Sequence, residues 1–437
     1  MTGRNERMLR LVVAMLACLA ALALVAGCAP PPLASPTAVP AAVPRATATA
    51  EPYVEPSITV CATGCDFTTV QAAIDDAATA AGDVISIGAA MHTEAGITVD
   101  KDVTIQGAGA GSTIVQAHAM PGEAGDRVFF VPSGATVTIR DLTIRHGNPL
   151  SEPESGGGVR NEGTLTLERC VVSHNSAGGG GGLFNDGTLT AIGCTISNNE
   201  ARRGGIQIME CSTGGGIRNM VGVVTLINST VSNNVARSNG GGIFVACKGV
   251  LKLTNSTISG NSGPRGGGIY VKGQAELVNA TISGNNATNT GGGVYVEGSG
   301  ETGVIRGLLS YTNTIIAGNS AGLPKYGVAD CLIGNYAEIG GNSHNLVGDS
   351  TCDAEFSGDP LLAPLADNGC PSGPPEGGDG GAALGAPHAP QTLALSPPSS
   401  ALDAIPADEC VTVVDQRGMS RPQGAGCDIG AFELQTD

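Results

Sequence analysis

The sequence predicts an all-β fold: a single-stranded parallel β-helix, or solenoid, with an amphipathic capping helix at its N-terminal end. Three observations carry this. A glycine triplet opens six copies of one repeat, at Gly156, Gly180, Gly214, Gly240, Gly266 and Gly291, spaced 24, 34, 26, 26 and 25 residues apart. Each copy, as in GGGIYVKGQAELVNATISGNN (266–286), holds three short apolar/polar alternations bounded by Gly or Asn and too short for helices. The composition, 67 glycines with seven Phe, six Tyr and no Trp in 437 residues, argues against an ordinary globular core with aromatic anchors. An apolar content of 41% and a charged content of 14% exclude a fully disordered chain.

In chain order, residues 1–27 read as an export signal. Arg4, Arg7 and Arg10 precede the apolar run LVVAMLACLAALALVAG, and Val25-Ala26-Gly27-Cys28 resembles a bacterial lipobox, which implies cleavage before Cys28 and lipidation of its thiol. Acyl chains on Cys28 would anchor the chain to a membrane, each buried CH₂ contributing ~0.8 kcal/mol. Residues 28–56 are rich in Pro, Ala and Thr, favour polyproline II and read as a semi-stiff stalk. Residues 57–96 are expected to form the cap. There Phe67, Val70, Ile74 and Ala77 share a helical face, and Thr68 with Gln71 has capping-box spacing. Such a helix would cover the open apolar end of the stack and its unpaired edges.

Residues 97–325 are expected to be the β-helix itself, starting near Ile97, with strands of successive coils pairing at ~4.8 Å. Stacking places Val159, Leu183, Ile217, Ile243, Ile269 and Val294 in one inward column. Glycine at the triplet permits φ > 0 and avoids collisions between stacked corners. Asn175, Asn199, Asn234, Asn261, Asn285 and Asn319 fall at an equivalent corner, where asparagine tolerates the left-handed conformation and its amide can bond to the next rung, forming a structural ladder. The outward neighbours of the apolar column are Arg160, Phe184, Arg218, Phe244, Tyr270 and Tyr295. Of these, Phe184, Phe244, Tyr270 and Tyr295 form a candidate ligand row, with cross-coil aromatic stacking as the alternative.

The GGGI(Y/F) and NSTISGN repeats resemble right-handed parallel β-helix proteins of the pectate-lyase-like superfold and polymorphic outer membrane protein repeats. SGDPLLAPLADNG (357–369), SSALDA (399–404) and VDQRGMSRPQGAGCDIGAFEL (414–434) resemble the bacterial surface-protein region called choice-of-anchor Q, expected here over residues 326–437. The resemblance spans roughly residues 57–434 and implies a right-handed fold and a cell-surface setting. That family pairs the region with C-terminal sorting anchors; here no hydrophobic tail follows, and the N-terminal lipobox is expected to replace one. No reaction is implied, because the superfold hosts lyases, hydrolases, adhesins and stalks.

Outside the signal and Cys28, candidate disulfides are Cys61 with Cys65, Cys331 with Cys352, and Cys410 with Cys427, in keeping with an oxidising exterior. Cys170 and Cys194, one coil apart, fit either a disulfide or stacked thiols. Cys211 and Cys247 can staple an insertion, and Cys370 is left over. No CxxC pair occurs and histidine is sparse, so no metal or other cofactor is expected. The net charge of −17 argues against nucleic acid. No catalytic residues are assigned: within residues 156–319 the single aspartate is Asp186, which meets only Glu162 in the coil before it. The function expected is a non-catalytic, monomeric surface lipoprotein binding an extracellular glycan or protein. The alternatives are a polysaccharide-active lyase or hydrolase, with its site in the insertion Arg203 to Thr213 or in residues 320–360, and a passive spacer.

Overall fold

The computed structural model describes residues 58–150, 155–202, 213–298, 307–322, 330–369 and 390–435. Cys28, the signal, the stalk, Cys211, Cys370 and residues 203–212 of the insertion lie outside them.

One coil shows how the sequence builds the fold. After Gly156-Gly157-Gly158 come strands Val159–Asn161, Thr164–Glu168, Val171–Ser173 and Ser176–Ala177, and the next triplet follows. Each strand pairs in parallel with its counterpart one coil away: Val159 with Leu183, Leu165 with Leu189, Val172 with Ile196 and Ala177 with Ala201. Four parallel sheets result, here named triplet, broad, strap and short, with nine, eleven, eleven and six strands among the described residues. The fourth strand escapes the sequence pattern because two residues are too few to show alternation.

The expected inward column is fully buried: Val159, Leu183, Ile217, Ile243, Ile269 and Val294 are at most 1% exposed and belong to one continuous core cluster. Burying each such side chain contributes about 1.5–3 kcal/mol, so a coil gains mainly by stacking on its neighbours. Sequence repeats at this spacing are therefore a packing requirement.

Glycine acts at the triplet in two ways. Gly266 has φ +59, and a Cβ on Gly267 would lie 2.5 Å from the carbonyl oxygen of Gly292 in the next coil. The first position needs the left-handed region, and the second needs room for the stacked backbone. Left-handed residues also turn two of the other three corners. Asn255, Asn279 and Asn313 (φ 47, 48 and 53) separate the broad and strap sheets, while His174, Asn198 and Asn233 (φ 56, 55 and 54) separate the strap and short sheets.

At the N-terminal end the stack begins at Ile58, earlier than the expected start near Ile97, because Ile58–Val60 already pairs with Val84–Ile87 in the broad sheet. Those first rungs lack the triplet, so the repeat does not mark them. Helix Val70–Asp75 buries Val70, Ala73 and Ile74 in the solenoid core. Its N-cap is Thr69 rather than Thr68, and the Glu94 carboxylate accepts from the backbone N–H of Val70 and Gln71 at 2.8 Å each. Gln71 donates to Asp75 and to the Thr98 carbonyl instead of reaching back to the cap. Ala77 lies beyond the helix and is exposed.

The chain after residue 390 lies along the outside of the strap sheet. The Thr257 hydroxyl donates to Gln416 Oε1 at 2.6 Å, Thr230 to the Gln391 carbonyl at 2.7 Å, and the Ala431 N–H to the Thr281 hydroxyl at 2.9 Å. Ile315, Leu346, Leu395, Ile405, Ile429 and Phe432 form a second apolar cluster beneath it.

Candidate functional site

The triplet sheet brings the predicted outward row into register, Arg160 beside Phe184 beside Arg218, then Phe244, Tyr270 and Tyr295. The row is not an exposed platform. Phe184 is 6% exposed, Phe244 and Tyr270 are 1% exposed, and Tyr295 is half-buried. The cause is in the residues themselves. Arg160 and Arg218 lie over the Phe184 ring at 5.0 and 5.7 Å from its centroid, and Phe244, Tyr270 and Tyr295 stack in series at 5.6 and 5.2 Å. Rings repeated at coil spacing cover one another's faces, which removes them from a ligand's reach.

Charges along the row are compensated locally. The Tyr270 hydroxyl donates to Glu297, which also pairs with Lys272 at 3.1 Å; burial, then the Glu297 charge, raises the tyrosine pKa. Arg160 donates through Nε to Glu162 at 2.7 Å. Asp186, one coil on, has its carboxyl pKa raised by burial, opposed by Arg160 and Arg218. Its Oδ1 is buried without a hydrogen-bond partner.

The six asparagines form a buried directional chain. The backbone N–H and Nδ2 of Asn175 donate to Oδ1 of Asn199 at 3.0 and 3.1 Å, and the same pair of bonds repeats at every step to Asn319. None of the six is left-handed; the preceding residue takes that conformation, which frees the asparagine side chain to point inward. A second ladder, Asn161 to Asn185 to Asn219, at 2.7 and 2.9 Å, went unrecognised in the sequence although the recurrent Arg/Phe-Asn pair after each early triplet signals it.

Asp330 continues the first ladder. Its Oδ1 accepts from Asn319 N–H at 2.8 Å and Nδ2 at 3.0 Å, while its own N–H donates to Asp349 at 3.1 Å. Burial pushes the Asp330 pKa up, with the Asn319 bonds opposing and Asp349 adding to the rise. Both carboxylates, with Asp359, Ser283 and Leu362, line a cleft of 410 Å³. This cleft draws its carboxylates from the expected 320–360 region and the rest of its wall partly from outside it, on residues the sequence does not single out.

The three cysteine pairs are bonded: Cys61–Cys65, Cys331–Cys352 and Cys410–Cys427, with Cα separations of 5.5, 5.9 and 5.9 Å. Cys170 and Cys194 are buried free thiols, Cys170 N–H donating to Cys194 Sγ at 3.4 Å. Their corner is a stacked-thiol column. Burial raises the Cys170 pKa, keeping it the inert thiol. In the C-terminal segment, Asp415 accepts from Arg417 at 2.7 Å, and buried Arg421 pairs with Glu433 at 3.2 Å and donates to the carbonyls of Asp428 and Gly430. The charged residues of VDQRGMSRPQGAGCDIGAFEL thus hold their own segment together.

The outer face of the broad sheet carries an ordered surface among the described residues. Thr136, Thr164 and Thr188 form one exposed column, and Thr104, Thr138, Thr166, Thr190 and Thr225 form the next, half-buried, in register. Fold and faces together define a right-handed parallel β-helix in which one side is clad by its own chain and one is a hydroxyl-bearing sheet. The family model described as "Right handed beta helix region" matches residues 105–264 and 217–324, together half of the chain, and the protein belongs to that family. Among solved structures, pectate lyase Pel9A is similar at 15% identity over 84% of this chain and 90% of its own, with a TM-score of 0.47. Pectin methylesterase from carrot gives 15%, 65%, 88% and 0.37, and pectin methylesterase PemA from Erwinia chrysanthemi gives 12%, 67%, 93% and 0.37. No curated protein matches the chain. No helix among the described residues is long and apolar enough to cross a membrane.

Proposed function

We propose that the protein is an exported surface lipoprotein, anchored through Cys28, whose β-helix rod binds an extracellular glycan or protein without catalysing a reaction. The supporting observation is the broad sheet's outer face. The aromatic row is buried in its own stack and residues 390–435 cover the strap sheet from Thr230 onward, whereas one threonine column is exposed and the next half-exposed. Strands ~4.8 Å apart, with outward residues alternating along each, hold the hydroxyls in a rigid array that can bond to successive units of an extended polymer without paying to order itself. Polysaccharide processing is the second reading, favoured by the paired carboxylates Asp330 and Asp349 in their cleft.

Incubation with a pectin, alginate and glycosaminoglycan panel separates the readings. Binding without unsaturated products or new reducing ends is expected, and it should be lost when Thr138, Thr166 and Thr190 are all replaced by Val, which removes the hydroxyls at constant shape, while the thermal transition holds. Products that vanish on Asp349→Asn establish the second reading, and absence of any glycan, cell or protein ligand establishes a spacer. Lipidation is read separately: Cys28→Ser should abolish fatty-acid labelling and membrane retention, and persistence of both defeats the anchor.

A further inference from the structure

Two coils carry histidine at the same left-handed corner between the strap and short sheets, His146 with φ 63 and His174 with φ 56. The strands leading into them pair in register, Arg145 opposite Ser173. We propose that His146 and His174 form a binding site for a borderline divalent transition-metal ion such as Cu²⁺, each coil supplying one imidazole.

The two rings are neighbours across adjacent coils, with centroids 6.4 Å apart in an edge-to-face arrangement. Metal–nitrogen bonds of about 2.0–2.1 Å place two imidazoles on one ion with centroids roughly 5–6 Å apart, so the rings are close enough to share an ion once the exposed His174 side chain turns a nitrogen toward His146. The tautomer of His146 is also set. Its Nδ1 lies 2.9 Å from the His118 carbonyl oxygen, which can only accept, so Nδ1 carries the proton and Nε2 presents a lone pair. A carbonyl fixing the far nitrogen is the outer-sphere support that metal-bound histidines use. His146 is 8% exposed, so packing holds its ring in place while His174 remains at the surface.

Neutral imidazole nitrogens suit Cu²⁺, Ni²⁺ or Zn²⁺ and disfavour Ca²⁺ and Mg²⁺, which select carboxylates. The Gly147 N–H donates to Asn175 Oδ1 at 2.9 Å, which locks the backbone of the two corners together just beyond the histidines. The nearby cation, Arg145, donates through Nε and an NH2 group to Gln116 at 2.9 and 2.8 Å. The described residues hold no group of three or more His, Cys, Asp or Glu suited to a metal, so affinity rests on the two imidazoles.

The test is titration of the full chain with Cu²⁺ alone, followed by calorimetry and by the nitrogen superhyperfine pattern of the Cu²⁺ electron paramagnetic resonance spectrum. One ion per chain with two coupled nitrogens is expected, with binding lost as pH falls through the imidazole range. His174→Ala, an exposed position whose loss leaves the core intact, should remove one nitrogen and weaken binding by at least about tenfold, the scale that outer-sphere partners alone reach. His146→Gln should do the same. No binding, or coupling and affinity unchanged in His174→Ala, overturns the site and leaves the histidines as an edge-to-face pair that packs the corner.

Discussion

Replacing Asn234 by Ala tests whether the ladder is a stabilising element or a by-product of the repeat. Asn234 is fully buried; its Oδ1 accepts from Asn199 N–H and Nδ2 at 3.0 Å each, and its Nδ2 donates to the Ile196 carbonyl and to Asn261 Oδ1 at 2.9 Å each. Four bonds disappear, but not all leave an orphan. Asn199 Nδ2 keeps the Val172 carbonyl, and Asn261 Oδ1 keeps the Asn234 backbone N–H. The Asn199 N–H and the Ile196 carbonyl lose this partner inside the core. At about 1–3 kcal/mol per buried unpaired group, the variant should lose roughly 2–5 kcal/mol. Asn198→Gly is the control: that residue is exposed at φ 55, a conformation glycine adopts freely, so its effect should stay within about 1 kcal/mol. Denaturant unfolding gives the global value, and hydrogen exchange locates the loss, since a solenoid can open coil by coil. A loss for Asn234→Ala below about 1 kcal/mol, or equal to the control, would refute the argument that the amides act as a buried chain.

Two further outcomes follow from packing and charge. In Gly267→Ala the new Cβ would meet the Asn286 and Gly292 carbonyl oxygens at 2.5 Å, both rigid backbone, so a loss of about 1–3 kcal/mol is expected, whereas Gly125→Ala points into open space and should be near neutral; equal melting temperatures would defeat the stacking argument. Burial raises the pKa of Asp428 and of Glu433, the latter despite Arg421. A carboxyl raised in the folded state contributes stability that is complete below its unfolded value, near 4, and is lost as pH rises through the folded value. Residues 390–435 should therefore be better protected from proteolysis at pH 5 than at pH 8, and equal protection would show that the Arg421–Glu433 attraction cancels the burial cost.

The fold was legible because each coil repeats the same packing problem. An inward column of Val, Leu and Ile, a turn that excludes Cβ, and a corner amide all recur at fixed offsets, so a stacking repeat writes its three-dimensional contacts into one dimension. What the repeat does not force was hidden. The first rungs at Ile58 and Val84 lack the triplet, and Glu94 caps a helix more than twenty residues before it. Asp330 joins the ladder across a break in the period. The aromatic row shows the limit most clearly: alternation said that Tyr270 points away from the core, and it does, yet Phe244 and Tyr295 close over it. Pointing outward and being accessible are different properties, and only the second can bind a ligand.

The ladder's polarity explains why an aspartate, rather than a seventh asparagine, follows Asn319. After Asn175, whose Oδ1 accepts the Gly147 N–H, every rung receives two donors from the rung before it and passes two donors on, so the dipoles of six amides point the same way. The last pair of donors, Asn319 N–H and Nδ2, must find an acceptor without a further amide to give to. A carboxylate accepts without donating, and charge-assisted bonds are roughly twice as strong as neutral ones. Asp330 supplies that acceptor, though burial raises its pKa and brings Asp349 alongside. Asp330 in the cleft thus has a structural cause in the ladder it terminates. A catalytic role for Asp330 would have to operate on a group already committed to ending the ladder, so an Asp330→Asn variant should disturb stability as well as any activity, whereas Asp349→Asn tests chemistry apart from the ladder.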